Sequence, residues 1–154
     1  MKILVTGATG FVGKKLVSEL ANRGHKVSIL SRDSESAQRR MPIECEIHRW
    51  EPELYPPPSQ AFDDVNAVIH LAGVNIADGR WTSSRKKSIR DSRVLSTRNL
   101  VSTLNSLQNP PKVFLSASAI GFYGNQKQVE LYEDLESGSG FLAEVCKEWE
   151  HEAF

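Results

Sequence analysis

The segment Thr6-Gly7-Ala8-Thr9-Gly10-Phe11-Val12-Gly13 sets three glycines at intervals of three, close to the start of the chain. This spacing suits a loop that wraps a phosphate. Gly7 permits a tight turn, Gly10 lets backbone approach the anion without a Cβ in between, and Gly13 lets the next helix pack closely. A helix opening at Phe11 and Val12, with Thr9 beside it, adds unpaired N–H groups and a positive dipole end. A triphosphate-binding loop fits poorly. Counting back from Gly13-Lys14, Ala8 stands where its first glycine belongs, and Lys15 replaces its magnesium-holding Ser or Thr. The turn is therefore expected to take the pyrophosphate of a dinucleotide.

Which dinucleotide depends on the end of the next strand. NAD sites place an Asp or Glu there to bond the ribose 2′-hydroxyl. Here the residues are Ser31 and Arg32. An acid would repel a 2′-phosphate, whereas Arg32 can pair with it and Ser31 can donate a further bond. NADP is predicted. Asp33, one residue later, keeps NAD as the alternative, and Arg39 and Arg40 either assist or are solvated.

These residues need elements to hold them. Lys2–Thr6 is an aliphatic run suited to a buried parallel strand, and Val12, Leu16, Val17, Leu20 and Ala21 recur at helical spacing before Gly24. Residues 26–31 (KVSILS) read as a second strand, completing a βαβ unit. Cys45–Trp50 alternates weakly, as an edge strand would. Pro52, Pro56, Pro57 and Pro58 make the following stretch a loop. VNAVIHLAG, within 64–73, predicts a central strand. A long helix is expected over 85–107, ended by Pro110 and Pro111, then a strand over 112–117 and an amphipathic helix over 140–154. Alternation of this kind predicts an α/β fold, a Rossmann-like doubly wound parallel sheet, as one domain over 1–154.

Composition narrows the function classes. The 154 residues are 40% hydrophobic and 25% charged with zero formal net charge, so no global field draws the chain to nucleic acid or membrane. No run approaches the roughly 18 apolar residues that span a bilayer. Cys45 and Cys146 form no metal spacing, and no metal site is predicted. Cysteine usage suits a reduced, cytoplasmic protein.

The combination of TGATGFVG at 6–13, HLAGVNIADGRW at 70–81, SRVLSTRNLV at 92–101, SASAIGFYG at 116–124 and GFLAEVCKEWE at 140–150 resembles the extended short-chain dehydrogenase/reductases. More narrowly it resembles their NAD-dependent epimerase/dehydratase-like branch. The resemblance implies that Leu71, Ala72 and Gly73 lie beside the adenine ribose, and that Asp64 supports the adenine-side loop or is a turn carboxylate. It implies that Trp50 lines the adenine cleft or packs as a loop aromatic. It also puts Ser116 and Ser118 where the family keeps its catalytic hydroxyl, next to the nicotinamide. Further strands and a C-terminal substrate domain belong to that family fold, so 1–154 is expected to be its cofactor-binding part alone.

One departure bears on chemistry. The family's general acid is a Tyr followed four residues later by a Lys. Aligned on Lys147, the Tyr position is Ala143; aligned on Glu150, the pair is Leu142 and Cys146. Proton transfer is then unassigned, with Tyr123 a possible substitute or a packing residue. Arg80, Arg85, Lys86, Lys87, Arg90, Arg93 and Arg98 form a basic helix face, read as solvated, as contacting an anionic substrate or cofactor phosphates, or as part of a homodimer interface. Two readings follow. One is an NADP-dependent oxidoreductase or epimerase-like enzyme with a small or nucleotide-linked substrate; the other is a non-catalytic NADP-binding module.

Overall fold

The computed structural model describes residues 1–154. Five strands, β1 (Lys2–Thr6), β2 (Lys26–Ser31), β3 (Glu46–Arg49), β4 (Ala67–His70) and β5 (Val113–Ser116), form one parallel sheet in the order β3-β2-β1-β4-β5. Four helices connect or flank them: α1 (Phe11–Asn22), α2 (Ser34–Arg40), α3 (Ser83–Ser106) and α4 (Phe141–Ala153). This is the predicted Rossmann-like sheet.

The near-continuous apolar runs of the central strands have a direct cause, because both faces of the sheet are covered. Successive side chains of β1 go to opposite faces. Ile3 and Val5 join Val17 of α1, Val27, Ile29 and Ala37 of α2 on one face. Leu4 joins Leu30, Trp50, Phe62, Val68 and Leu100 of α3 on the other. α4 packs on α3.

The short helix α2 is absent from the expected elements. It has only one buried residue, Ala37, so hydrophobic periodicity could not reveal it. Its start is fixed instead by Asp33, whose side chain accepts from Ser36 N–H at 2.8 Å.

Asp64 sits with positive φ (58°) ahead of β4, beside the amino ends of β1 and β2, the place of a turn carboxylate. Gly13 lets the start of α1 pack closely on the glycine turn, as expected. A Cβ there would overlap Gly7 O and stand 2.7 Å from Ala8 Cα.

Candidate functional site

The order of the sheet creates the site. β1 connects to β2 on one side and is flanked by β4 on the other, so connections diverge at its carboxyl end and leave a crevice. A cleft of about 210 Å³ opens there. Gly7, Thr9 and Gly10 line it from the β1–α1 turn, Ser31 and Arg32 from the end of β2, and Leu71, Ala72 and Gly73 from the end of β4. Phe11 and Val12 open α1, their side chains 96% and 62% exposed. Eight of the ten predicted cofactor residues thus converge from three separate strand ends, while Phe11 and Val12 stand outside the lining.

The turn is shaped for a close visitor. Gly7 has φ +67°, and a Cβ on it would lie 2.5 Å from Leu71 O, so backbone of the β4 segment occupies that space. Gly10 differs, since its nearest protein atom would be Gly7 O at 3.2 Å. Its outer side is free for a ligand. The first-turn N–H groups of α1 have no side-chain cap, whereas α2 is capped by Asp33 and α3 by Thr82. Uncapped donors at the end of a helix dipole are an anion-binding arrangement.

At the β2 end, Arg32 is exposed and is the one cationic side chain in the cleft lining. Ser31 Oγ donates to Asp33 O at 3.1 Å. The Asp33 carboxylate is engaged in capping α2, and Arg39 pairs outward with Glu35 at 3.9 Å. Arg40 reaches back to the turn, donating from Nη2 to Thr9 O at 3.1 Å. Trp50 is both wall and core. It is 2% exposed, lines the cleft and donates from Nε1 to Tyr55 O at 2.8 Å. Pro52 and Glu53 also line the cleft and escaped the sequence reading, which saw only a proline-rich loop there. The pairing of β2 with β3 brings that loop in, through Trp50 N–H to Ser31 O at 2.9 Å.

Beneath the turn lies a fully buried polar chain. Thr6 Oγ1 accepts the N–H groups of Leu71 (3.2 Å) and Ala72 (3.1 Å) and donates to His70 Nδ1 at 2.7 Å. His70 Nε2 then donates to Thr97 Oγ1 at 3.0 Å, and Thr97 donates to Arg93 O at 2.7 Å. Thr97 Oγ1 spends its own proton on that carbonyl, so the pattern selects the Nε2–H tautomer of His70. Burial pushes the His70 pKa down to about 4, which keeps the ring neutral. The chain ties β1, β4 and α3 together directly under the cleft.

Residues 3–142 match the model of the NAD dependent epimerase/dehydratase family. The chain belongs to this family. It is 34% identical over 148 residues to an epimerase family protein of Mycobacterium leprae, covering 96% of this chain and 45% of that protein. It is 36% identical over 154 residues to the epimerase family protein YfhF of Bacillus subtilis, covering 99% and 49%. The chain thus spans about half the length of these relatives. Among solved structures it is similar to a human epimerase family protein determined with NADPH (TM-score 0.81, 28% identity, 100% of this chain and 49% of that one). It is also similar to a nucleoside-diphosphate sugar epimerase of Corynebacterium glutamicum (TM-score 0.77, 36% identity, 99% and 30%).

The hydroxyls expected near the nicotinamide in this family lie outside the cleft lining. Ser116 ends β5 opposite His70, its Oγ 3.4 Å from Ala117 O. Ser118 Oγ donates to the carboxylate of Glu150 on α4. Tyr123 closes a short 3-10 turn (Ile120–Tyr123), its ring packed edge-on against Phe122 at 5.2 Å. In one of the two alignments of the family's Tyr–Lys pair, Leu142 and Cys146 take the two positions. Leu142 and Cys146 crowd Gly121, and burial raises the Cys146 thiol further above neutrality.

The basic helix resolves into individual pairings. Arg90 bridges to Glu148, Arg98 to Glu152 and Lys87 to Asp91, while Lys86 lies over the Phe141 ring at 5.3 Å. These contacts fasten α3 to α4 and to itself. No helix of the chain is long and apolar enough to cross a membrane.

Proposed function

We propose that the cleft binds NADP, and that the chain forms the cofactor-binding part of an oxidoreductase or epimerase-like enzyme. The observation that carries this reading is Arg32, exposed at the end of β2 with the neighbouring Asp33 carboxylate committed to a helix cap. A guanidinium there favours a 2′-phosphate, and Asp33 turns its Oδ1 to the Ser36 N–H of α2. The human relative determined with NADPH supports the choice.

The residues fit the cofactor part by part. The uncapped N-terminus of α1 and the open side of Gly10 would hold the pyrophosphate, and Arg32 with Ser31 the 2′-phosphate. Trp50 and Leu30 would wall one side of the adenosine, and Leu71 to Gly73 the other. At about 210 Å³ the cleft lies below the roughly 300 Å³ of ordinary ligand pockets, which suits the adenosine half of a dinucleotide. When bound, the nicotinamide supplies hydride exchange. Ser116, Ser118 and Tyr123 are the candidate hydroxyls for orienting a substrate oxygen, and Ser118 would exchange Glu150 for that oxygen.

A second reading, a non-catalytic NADP-binding module, is favoured by the apolar packing of Leu142 and Cys146 at the Tyr–Lys positions. Calorimetric titration with NADPH and NADH tests the cofactor. Tighter binding of NADPH, lost in Arg32→Ala, is expected; equal affinity in the unmodified chain overturns the choice. NADPH oxidation over a panel of carbonyl compounds separates the two functions. Turnover that falls in Ser118→Ala supports the enzyme, and silence despite tight NADPH binding supports the module.

A further inference from the structure

The acids in the second half of α4 differ in what they hold. Glu148 bridges to Arg90 of α3 and Glu152 to Arg98, whereas Glu150 has no cationic partner and accepts the Ser118 hydroxyl beyond the end of β5. Helical spacing sorts them. Glu148 and Glu152 are four residues apart and share the face toward α3. Glu150 shares its face with Cys146 and Leu142, one and two turns earlier, and both of those crowd Gly121. That face therefore looks onto the segment after β5. Burial first, and then the charge of Glu150, push the Cys146 thiol up, so of the three residues Glu150 alone brings a charge.

An open recess of about 340 Å³ lies beside it. Ser116, Ala117 and Ser118 form one wall, Phe114 and Phe154 give it apolar surface, and Glu150 is its only charged side chain. The sheet fixes the distance of this recess from the glycine turn. Thr6 of β1 is level with His70 of β4, and His70 with Ser116 of β5. Two strand spacings, about 10 Å, separate Thr6 from Ser116. A dinucleotide that enters with its adenosine at β2 and seats its pyrophosphate on the turn after β1 continues over the carboxyl ends of β4 and β5. Its second nucleotide then arrives at Ser116 and Ser118.

The two redox forms of a nicotinamide ring differ in charge, the oxidised ring being a cation and the reduced ring neutral. A carboxylate that has no cationic partner of its own favours the cation, the more so where water is displaced. We propose that Glu150, held in place by Ser118, is the residue that distinguishes the two forms of the cofactor and favours NADP+ over NADPH. The proposal rests on the reading that the cleft binds NADP. The hydroxyls of Ser116 and Ser118 are neutral, so the preference falls to the one carboxylate in the recess.

Calorimetric titration of the full chain with NADP+ and with NADPH gives the ratio of the two affinities. Glu150→Gln should weaken NADP+ about fivefold and NADPH less than about twofold. Glu150→Asp, which keeps the charge, should restore most of the ratio. In a second measurement the unaltered chain carries glutamate labelled with carbon-13 at the carboxyl group. The Glu150 resonance should move when NADP+ replaces NADPH, and this measurement serves if Glu150→Gln does not fold. An unchanged ratio in Glu150→Gln, an equal loss for both forms, or a Glu150 resonance indifferent to the exchange overturns the proposal. Adenosine 2′,5′-bisphosphate, which has no nicotinamide, separates this failure from failure of the cofactor reading. If it binds in a manner dependent on Arg32, that reading stands whatever happens at Glu150; if neither it nor NADPH binds, both fall.

Discussion

The two sides of the cleft are built differently. The floor under β1 and β4 is dry: Thr6, His70 and Thr97 are at most 1% exposed, and each polar atom of the chain has a partner. The rim at β2 is open, with Arg32 exposed and the Ser31 hydroxyl bonded only to its own turn. The floor ties the ends of β1 and β4 to α3, and the rim is left to discriminate between ligands. Changes in the floor should therefore be read in stability, and changes at the rim in affinity.

The largest effect is expected at Gly7. Gly7→Ala forces a Cβ into the Leu71 carbonyl at positive φ and should cost about 3 kcal/mol or more in urea unfolding. A loss below about 1 kcal/mol would show that the floor yields, and the contrast would fail.

His70 comes next, through pH. Its folded pKa of about 4 lies below the usual value of 6.5, so the unfolded chain binds the extra proton between them. The neutral buried ring thus favours the fold fully above pH 6.5, and that contribution disappears as pH falls towards 4. The loss is on the order of 3 kcal/mol. Unfolding at pH 5 and pH 7 should differ in the native chain, and this part of the difference should vanish in His70→Gln.

At the rim, Arg32→Ala should leave the melting temperature within about a degree. It should weaken NADPH about tenfold relative to NADH, or roughly 1.4 kcal/mol. A stability loss comparable to that of Gly7→Ala would remove the distinction between floor and rim. The smallest effect belongs outside both. Arg98, 56% exposed and paired with Glu152, should cost no more than about 0.5 kcal/mol when replaced by alanine.

The floor and rim were not equally legible. Strand ends and the glycine turn follow from short contiguous runs, so Lys2–Thr6, the turn and Ser31-Arg32 could be read directly. Pro52 and Glu53 could not, because their place depends on β3 pairing with β2 rather than on any local pattern. The inward turn of Arg93, whose Nη2 donates to Val74 O, was hidden for a related reason. Seven basic residues look alike in sequence, and only packing against α4 and the loop after β4 separates Arg93 from those paired to Glu148 and Glu152. His70, legible as a strand residue and as the start of the family segment at 70–81, is a hub because Thr6 and Thr97 meet it from distant segments.

The hydroxyl of Thr6 accepts the Leu71 and Ala72 amide protons, the first shared with Thr6 O at 3.3 Å as the last rung between β1 and β4. Those two protons should exchange with solvent as slowly as the sheet core, although they belong to a connecting segment. In a deuterium-exchange experiment they would act as clocks for the separation of β1 from β4. An opening of the rim alone would leave them untouched.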